Sequence, residues 1–246
     1  MSVLWMLLAI GIADTNQLRV VVNIPAYRVD AYVADSVVFT APVAVGRAEY
    51  RTPRGAFTIN SVEWNPWWIP PDQPWARNER PMPPGPENWM GRVKINFRPL
   101  YFLHGTPFET SLGSAASHGC IRMRNDDAVV LARLVHRFGT PDLSADDVTR
   151  LERGAETRLV ALVRLVPLEV RYDRVELQDD RVVVYRDVYG VARESLPREV
   201  MRTLAAGGID TTRVDASRLR ALTTHVGPRG RSSSVSDLLR PRSREE

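Results

Sequence analysis

The chain has 246 residues, 44% hydrophobic and 25% charged, an ordinary balance for a folded globular protein. That excludes a wholly disordered chain, a collagen-like chain and a multi-pass membrane protein. The net charge of +4 suits a polyanionic surface. It does not select nucleic acid, because no basic tract carries interleaved aromatics. The one cysteine, Cys120, cannot form an internal disulfide or a CxxC site.

Residues Val3 to Ala13 (VLWMLLAIGIA) are eleven apolar or small residues in a row. A bilayer span needs about 20. The run matches the core of a secretory signal, and Gly11-Ile12-Ala13 offers a small-x-small cleavage site, with a mature chain starting near Asp14. No Lys or Arg precedes it, so a buried first strand or helix is the competing reading. If it is not cleaved, the run becomes a membrane tether.

Residues 18–24 and 31–45 are rich in Val and aromatics and read as the strands of a hairpin. Thr52-Pro53-Arg54-Gly55 is a turn signal, followed by a strand over Ala56–Val62. Residues 63–90 are dense in Trp and Pro. Proline lacks an amide donor, so this is a long ordered loop, a lid or a covering over the sheet. Val93–Phe97 and Leu100–His104 are strands. Asn125 or Asp126 is placed to cap a helix that ends at Gly139. Residues 144–165 look helical and charged, Leu168–Leu177 and Val182–Tyr185 pair as strands, and 197–206 and 215–224 are short helices. From Gly227 the Ser, Arg and Pro content predicts a mobile tail.

The chemistry gathers at His104-Gly105-Thr106-Pro107 and Ser117-His118-Gly119-Cys120-Ile121-Arg122. A thiol becomes a strong nucleophile when an imidazole takes its proton. His118 lies two residues before Cys120. His104 ends a predicted strand, and a β-hairpin would return Cys120 to its side. The amides of Gly119 and Cys120 are candidates for an oxyanion hole. A buried cysteine and hydrogen-bonded core histidines are the bland alternative. Zinc on His104, His118 and Cys120 is another, and it lacks an obvious fourth ligand.

The pattern H-G-T … S-H-G-C-I-R resembles the signature of L,D-transpeptidases with a YkuD-type catalytic domain. LRVVVNIPAYRVDAY, VAVGRAEYRTPRGAFTI, WNPWWIPPD and MPPGPENWMGRVKINF resemble that family in the same order, over roughly residues 17–138. The resemblance implies a mainly β fold, an L,D-transpeptidase-like β-sandwich with one helix after the catalytic cysteine. It also implies a catalytic domain over 17–138. Pattern and composition add a signal over 1–13, a small α+β region over 139–226 and a disordered tail over 227–246. The resemblance makes Cys120 the nucleophile, His104 its activator and Gly105 the carbonyl that orients the imidazole. Ser117, His118 and Gly119 would shape the pocket. Arg122 stands where some members have Asn, and is equally readable as a substrate carboxylate partner or a surface ion pair.

The implied activity is acyl transfer between peptidoglycan stem peptides, donor and acceptor, through a Cys thioester with release of D-alanine. No cofactor, metal or nucleic acid is required, and the protein would be exported to the periplasm or cell envelope. Water as acceptor would make it an L,D-carboxypeptidase, and a silent wall-binding module is the non-enzymatic alternative. A papain-like protease would place the cysteine well before its histidine, the reverse of the order here.

Overall fold

A computed structural model describes residues 17–239. The apolar run Val3–Ala13 and residues 240–246 of the expected tail lie outside the described residues.

Strands β1 (Leu18–Asn23), β2 (Arg28–Val33) and β3 (Ser36–Pro42) form an antiparallel meander. The segment 31–45, expected as one strand, is broken by a turn at Ala34, whose φ of 52° is left-handed. A short β4 (Val45–Gly46) follows, then β5 (Gly55–Trp64), β6 (Val93–Arg98) and β7 (Tyr101–Gly105). Next come β8 (Ala115–Ser117), β9 (Ile121–Met123), α1 (Asn125–Gly139), α2 (Ala145–Arg153) and β10 (Arg158–Arg171). The main sheet runs β3-β2-β1-β10-β5-β6-β7-β9, and β4 pairs with β8 beside it.

The inward faces of this sheet share one hydrophobic core with α1. Helix α1 buries Ala128, Leu131, Ala132, Val135 and His136, the stripe that a 3.6-residue period produces. The chain is thus mainly β, with a smaller α+β region after it.

Two expectations change here. Residues 158–165, expected to continue a charged helix, are the first half of β10, which lies between β1 and β5. Leu, Ala and Arg favour helix in isolation. Pairing of Arg158–Ala161 with the edge of β5 outweighs that preference. The main sheet therefore continues to Arg171, past the expected end of the catalytic domain at residue 138. Strand β9 pairs parallel to β7, not as a hairpin. Parallel pairing demands a crossover, and residues 106–120 supply it.

The remainder is β11 (Val175–Gln178), β12 (Arg181–Val184), α3 (Leu196–Ala206), α4 (Ala216–Thr223), β13 (Arg231–Ser234) and α5 (Val235–Leu238). β11, β12 and β13 form a second antiparallel sheet over a separate apolar core. The Ser-rich segment read as tail is structured over 231–238. It supplies the ladder partner of β12, and the Ser234 side chain caps α5. Among the described residues no helix is long and apolar enough to cross a membrane.

Candidate active site

The sheet register builds the site. Glu63 pairs with Lys94, Lys94 with His104, and His104 with Arg122, so four adjacent strands carry a polar row across one face. Their neighbours Val62, Ile95, Leu103 and Ile121 point into the core, as strand alternation requires. Cys120 directly precedes β9. In a parallel ladder it falls opposite Phe102, two residues from Arg122 and on the face that holds His104. Lys94 bonds Glu63 at 2.6 Å and lies 4.8 Å from the Phe102 ring centroid.

His104 is 1% exposed. Its Nδ1 donates to the Gly105 carbonyl at 2.6 Å. A carbonyl only accepts, so Nδ1 carries the proton and Nε2 keeps its lone pair. Burial, together with Arg122 and Lys94, pushes the imidazole from 6.5 down to about 3, against the Gly105 hydrogen bond. His104 is therefore neutral at physiological pH.

The Cys120 thiol is half-buried and donates to the Leu100 carbonyl at 3.4 Å. Burial raises it from 9.0 to about 11, while the Phe102 backbone, Arg122 and Lys94 pull it down. The resting pair is a protonated thiol and a neutral imidazole, not an ion pair. The thiol must turn from Leu100 to reach a base.

Ser117 donates to the Cys120 carbonyl at 2.5 Å and accepts from the Gly119 amide at 3.0 Å. Of the two expected oxyanion donors, the Gly119 amide is thus already engaged, and the Cys120 amide remains. Gly119 has φ 112°, and a Cβ there would lie 2.7 Å from the Tyr101 ring. Only glycine fits.

His118 is arranged unlike His104. Trp75 stacks on its ring at 3.8 Å and 7°, Tyr50 meets its edge at 4.9 Å, and the Arg47 guanidinium contacts Nε2. Burial and the charges of Arg47 and Arg122 lower it to about 4. With Arg47 on Nε2 and Trp75 on its face, this histidine is clamped. In the Trp/Pro segment Trp64 and Trp68 are buried, as packing over the sheet expects, and Trp75 reaches the Ser117–Cys120 turn.

Arg122 is half-buried and lies 6.0 Å from the Phe108 ring centroid. The titratable groups that act on it are the Cys120 thiol and the Arg47 guanidinium, neither a carboxylate, and burial lowers its pKa. Among the described residues no group of three or more His, Cys, Asp or Glu side chains is placed to hold a metal ion.

Asn125 was expected as a helix cap, but no side-chain cap bond forms on α1. Its Oδ1 instead accepts from the Arg92 amide at 2.9 Å, and its Nδ2 donates to the Thr106 carbonyl at 3.4 Å. A Cβ on Gly105 would meet that Oδ1 at 2.2 Å, so this side chain holds the end of β7 tightly.

Sequence reasoning missed Arg47, Tyr50 and Thr52. Thr52 was visible only as a turn residue. Its Oγ1 donates to the Gly119 carbonyl at 2.9 Å and accepts from the Gly46 amide at 2.9 Å. His136 realises the bland reading of a histidine: it is buried in α1 and accepts from Trp64 Nε1 at 3.0 Å.

Comparison with known proteins bears on the whole of this region. The family model of the YkuD L,D-transpeptidase catalytic domain matches residues 17–167. "Probable L,D-transpeptidase ErfK/SrfK" of Escherichia coli is 36% identical over 125 residues, 46% of this chain and 40% of that protein. "Probable L,D-transpeptidase YcfS" of Escherichia coli is 32% identical over 187 residues, 70% of this chain and 57% of that protein. The chain spans about half the length of these relatives. Among solved structures, an L,D-transpeptidase from Mycobacterium smegmatis is similar with a TM-score of 0.41 at 18% identity, over 63% of this chain and 58% of that one. The family match takes in β1 to β9, α1, α2 and most of β10, and the chain belongs to the YkuD L,D-transpeptidase catalytic-domain family.

Proposed function

We propose that this chain is a peptidoglycan L,D-transpeptidase that links two stem peptides directly, third residue to third residue. The observation that carries the reading is the His104 ring, committed to Gly105 through Nδ1 and held one strand from Cys120. Such a ring is a base with its lone pair oriented and its tautomer fixed.

The reaction balances on these groups alone. Cys120 Sγ attacks the carbonyl between the third residue of the donor stem and its terminal D-alanine. The thiol proton passes to His104 Nε2 as the S–C bond forms. The tetrahedral oxyanion faces the Cys120 amide. Collapse breaks the C–N bond, the imidazolium returns the proton to the leaving amine, and D-alanine departs. The thioester left on Cys120 is attacked by an amine of a second stem. That amine's proton moves through His104 to the departing sulfur.

Arg122 lies in register with His104, and the titratable groups that act on it, the Cys120 thiol and Arg47, include no carboxylate. A guanidinium there offers a two-pronged bond to a stem carboxylate. Such a substrate lies outside the cytoplasm, so the reading includes export to the periplasm or envelope.

Incubation with a tetrapeptide-stem muropeptide, followed by mass analysis, tests the proposal. A crosslinked dimer with loss of D-alanine is the expected product. A trimmed monomer would make the protein an L,D-carboxypeptidase. Unchanged substrate bound to folded protein would make it a wall-binding module.

A further inference from the structure

The segment after β12 returns to the first core. Tyr189 is buried in that core, stacked on Tyr172 at 5.5 Å. Its amide donates to the Tyr172 hydroxyl at 2.6 Å, and that hydroxyl donates to Asp187 Oδ1 at 2.6 Å. Asp187 also accepts from the Val191 and Ala192 amides at 3.0 and 2.8 Å. These four bonds tie the turn to Tyr172 and Asp187. The turn aims the Tyr189 hydroxyl at the Thr52 amide, which donates to it at 3.2 Å.

Thr52 is 2% exposed, so its amide has no ready access to water. Its hydroxyl reaches the Gly119 carbonyl. That carbonyl belongs to the same peptide unit as the Cys120 amide. A trans peptide is planar, with its C=O and N–H pointing opposite ways. Fixing the Gly119 oxygen on Thr52 therefore fixes the direction of the Cys120 N–H. Ser117 already occupies the other nearby amide, so the Cys120 N–H is the donor whose aim matters most.

We propose that Tyr189 and Thr52 are positioning residues: the C-terminal segment, through Tyr189 and then Thr52, sets the Gly119–Cys120 peptide plane and so aims the oxyanion donor. The inference rests on the acyl-transfer reading above. It gives the region after the main sheet a task in the reaction without touching substrate.

The test separates acyl transfer from simple thiol reactivity in the full chain. Iodoacetamide alkylates a thiol by displacement at an sp³ carbon and forms no oxyanion. Acylation of Cys120 by the tetrapeptide stem forms one. Tyr189→Phe should slow acylation about ten- to hundred-fold, less than or near the loss of a whole oxyanion donor. The iodoacetamide rate at the same pH should stay within about twofold of wild type, because that reaction draws no help from the amide. Thr52→Val should reproduce the split and Thr52→Ser should rescue it, since serine keeps the hydroxyl. The Thr52 pair also carries the test if Tyr189→Phe does not fold. Equal loss of both reactions would show general loosening of the loop and overturn the inference. Unchanged acylation in Tyr189→Phe and Thr52→Val would overturn it as well. A wild-type protein that alkylates but never acylates would instead overturn the functional reading.

Discussion

The two cores of this chain are built to different rules. The second, under β11, β12 and β13, is a hydrophobic cluster of Val175, Val182, Val184, Val200, Leu204, Val214, Leu222 and Leu238, with a largely buried ion pair, Arg174–Glu199, at its margin. Its helix α4 is capped in the ordinary way, by Asp215 accepting from Ser217 and Arg218 amides. The first core buries polar groups beside its apolar ones: Thr52, Asn88, His104, Thr106, Ser117 and His136. Its helix α1 starts after Arg124 with no side-chain cap bond, and Asn125 in its first turn bonds Arg92 and Thr106 instead. Buried polar groups are costly unless bonded. Thr52 and Ser117 hold the Gly119–Cys120 backbone, while Asn88 ties the Trp/Pro loop together and His136 accepts from Trp64. The difference teaches where to look for chemistry: where a fold gives up local stability for fixed backbone.

The largest test of that contrast sets His104→Ala against Leu204→Ala. Loss of a general base lowers rate by about two to four orders of magnitude. His104→Ala should therefore nearly abolish crosslinking while circular dichroism stays native. Near-normal turnover in the folded variant would move the base to His118. Leu204→Ala opens a cavity in the second core and should destabilise by about 2–5 kcal/mol. At a temperature where it remains folded, its turnover should match wild type. A large rate loss there would mean that the two cores are not separable in function.

Much of this architecture is legible in the sequence, and the illegible part has a physical pattern. The Val-rich run at 18–24 and the alternating VKINF at 93–97 announce β1 and β6 because their own pattern is decisive. The order H-G-T … S-H-G-C-I-R carries the family resemblance because those residues are close in the chain. The first half of β10 is not legible, although Leu168 onwards reads as strand. The composition of 158–165 suits a helix, and pairing of Arg158–Ala161 with β5 makes it a strand. The parallel pairing of β7 and β9 is hidden for the same reason. Thr52 and Tyr189 stand 137 residues apart, and no local pattern links a turn residue to a distant tyrosine. Contacts of that kind are set by the assembled fold.

A pH profile of thiol alkylation sharpens the contrast within the first core. Burial holds the Cys120 thiol at about 11 and His104 at about 3. The raised thiol pKa means that thiolate is scarce at neutral pH and grows as pH rises. Below its pKa the thiolate fraction increases about tenfold per unit. The iodoacetamide rate should therefore climb steadily from pH 6 to about pH 9 with no plateau. A plateau below pH 7 would reveal a preformed thiolate–imidazolium pair and contradict the resting state described above.

The smallest expected effect is also the most direct comparison, Asn125→Ala against Asp215→Ala. Each removes one side chain at the start of a helix. Asp215 caps α4, and losing a cap costs about 1 kcal/mol. Asn125 caps nothing, yet it bonds the Arg92 amide and the Thr106 carbonyl, so its loss should cost a similar amount. Urea midpoints should therefore fall by comparable amounts in both variants. Turnover should not. Thr106 follows the Gly105 carbonyl that holds His104, and Asn125 lies against Gly105 itself. Freeing that strand end loosens the imidazole, so Asn125→Ala should lose a few-fold in crosslinking rate, within the penalty that small misplacement of a catalytic group brings. Asp215→Ala should keep the wild-type rate, because α4 packs on the second core. Equal rate losses in the two variants would mean that activity follows global stability. Equal rates in Asn125→Ala and wild type would mean that Gly105 alone holds the ring, and that the diverted cap serves only to fasten the Arg92 loop to α1.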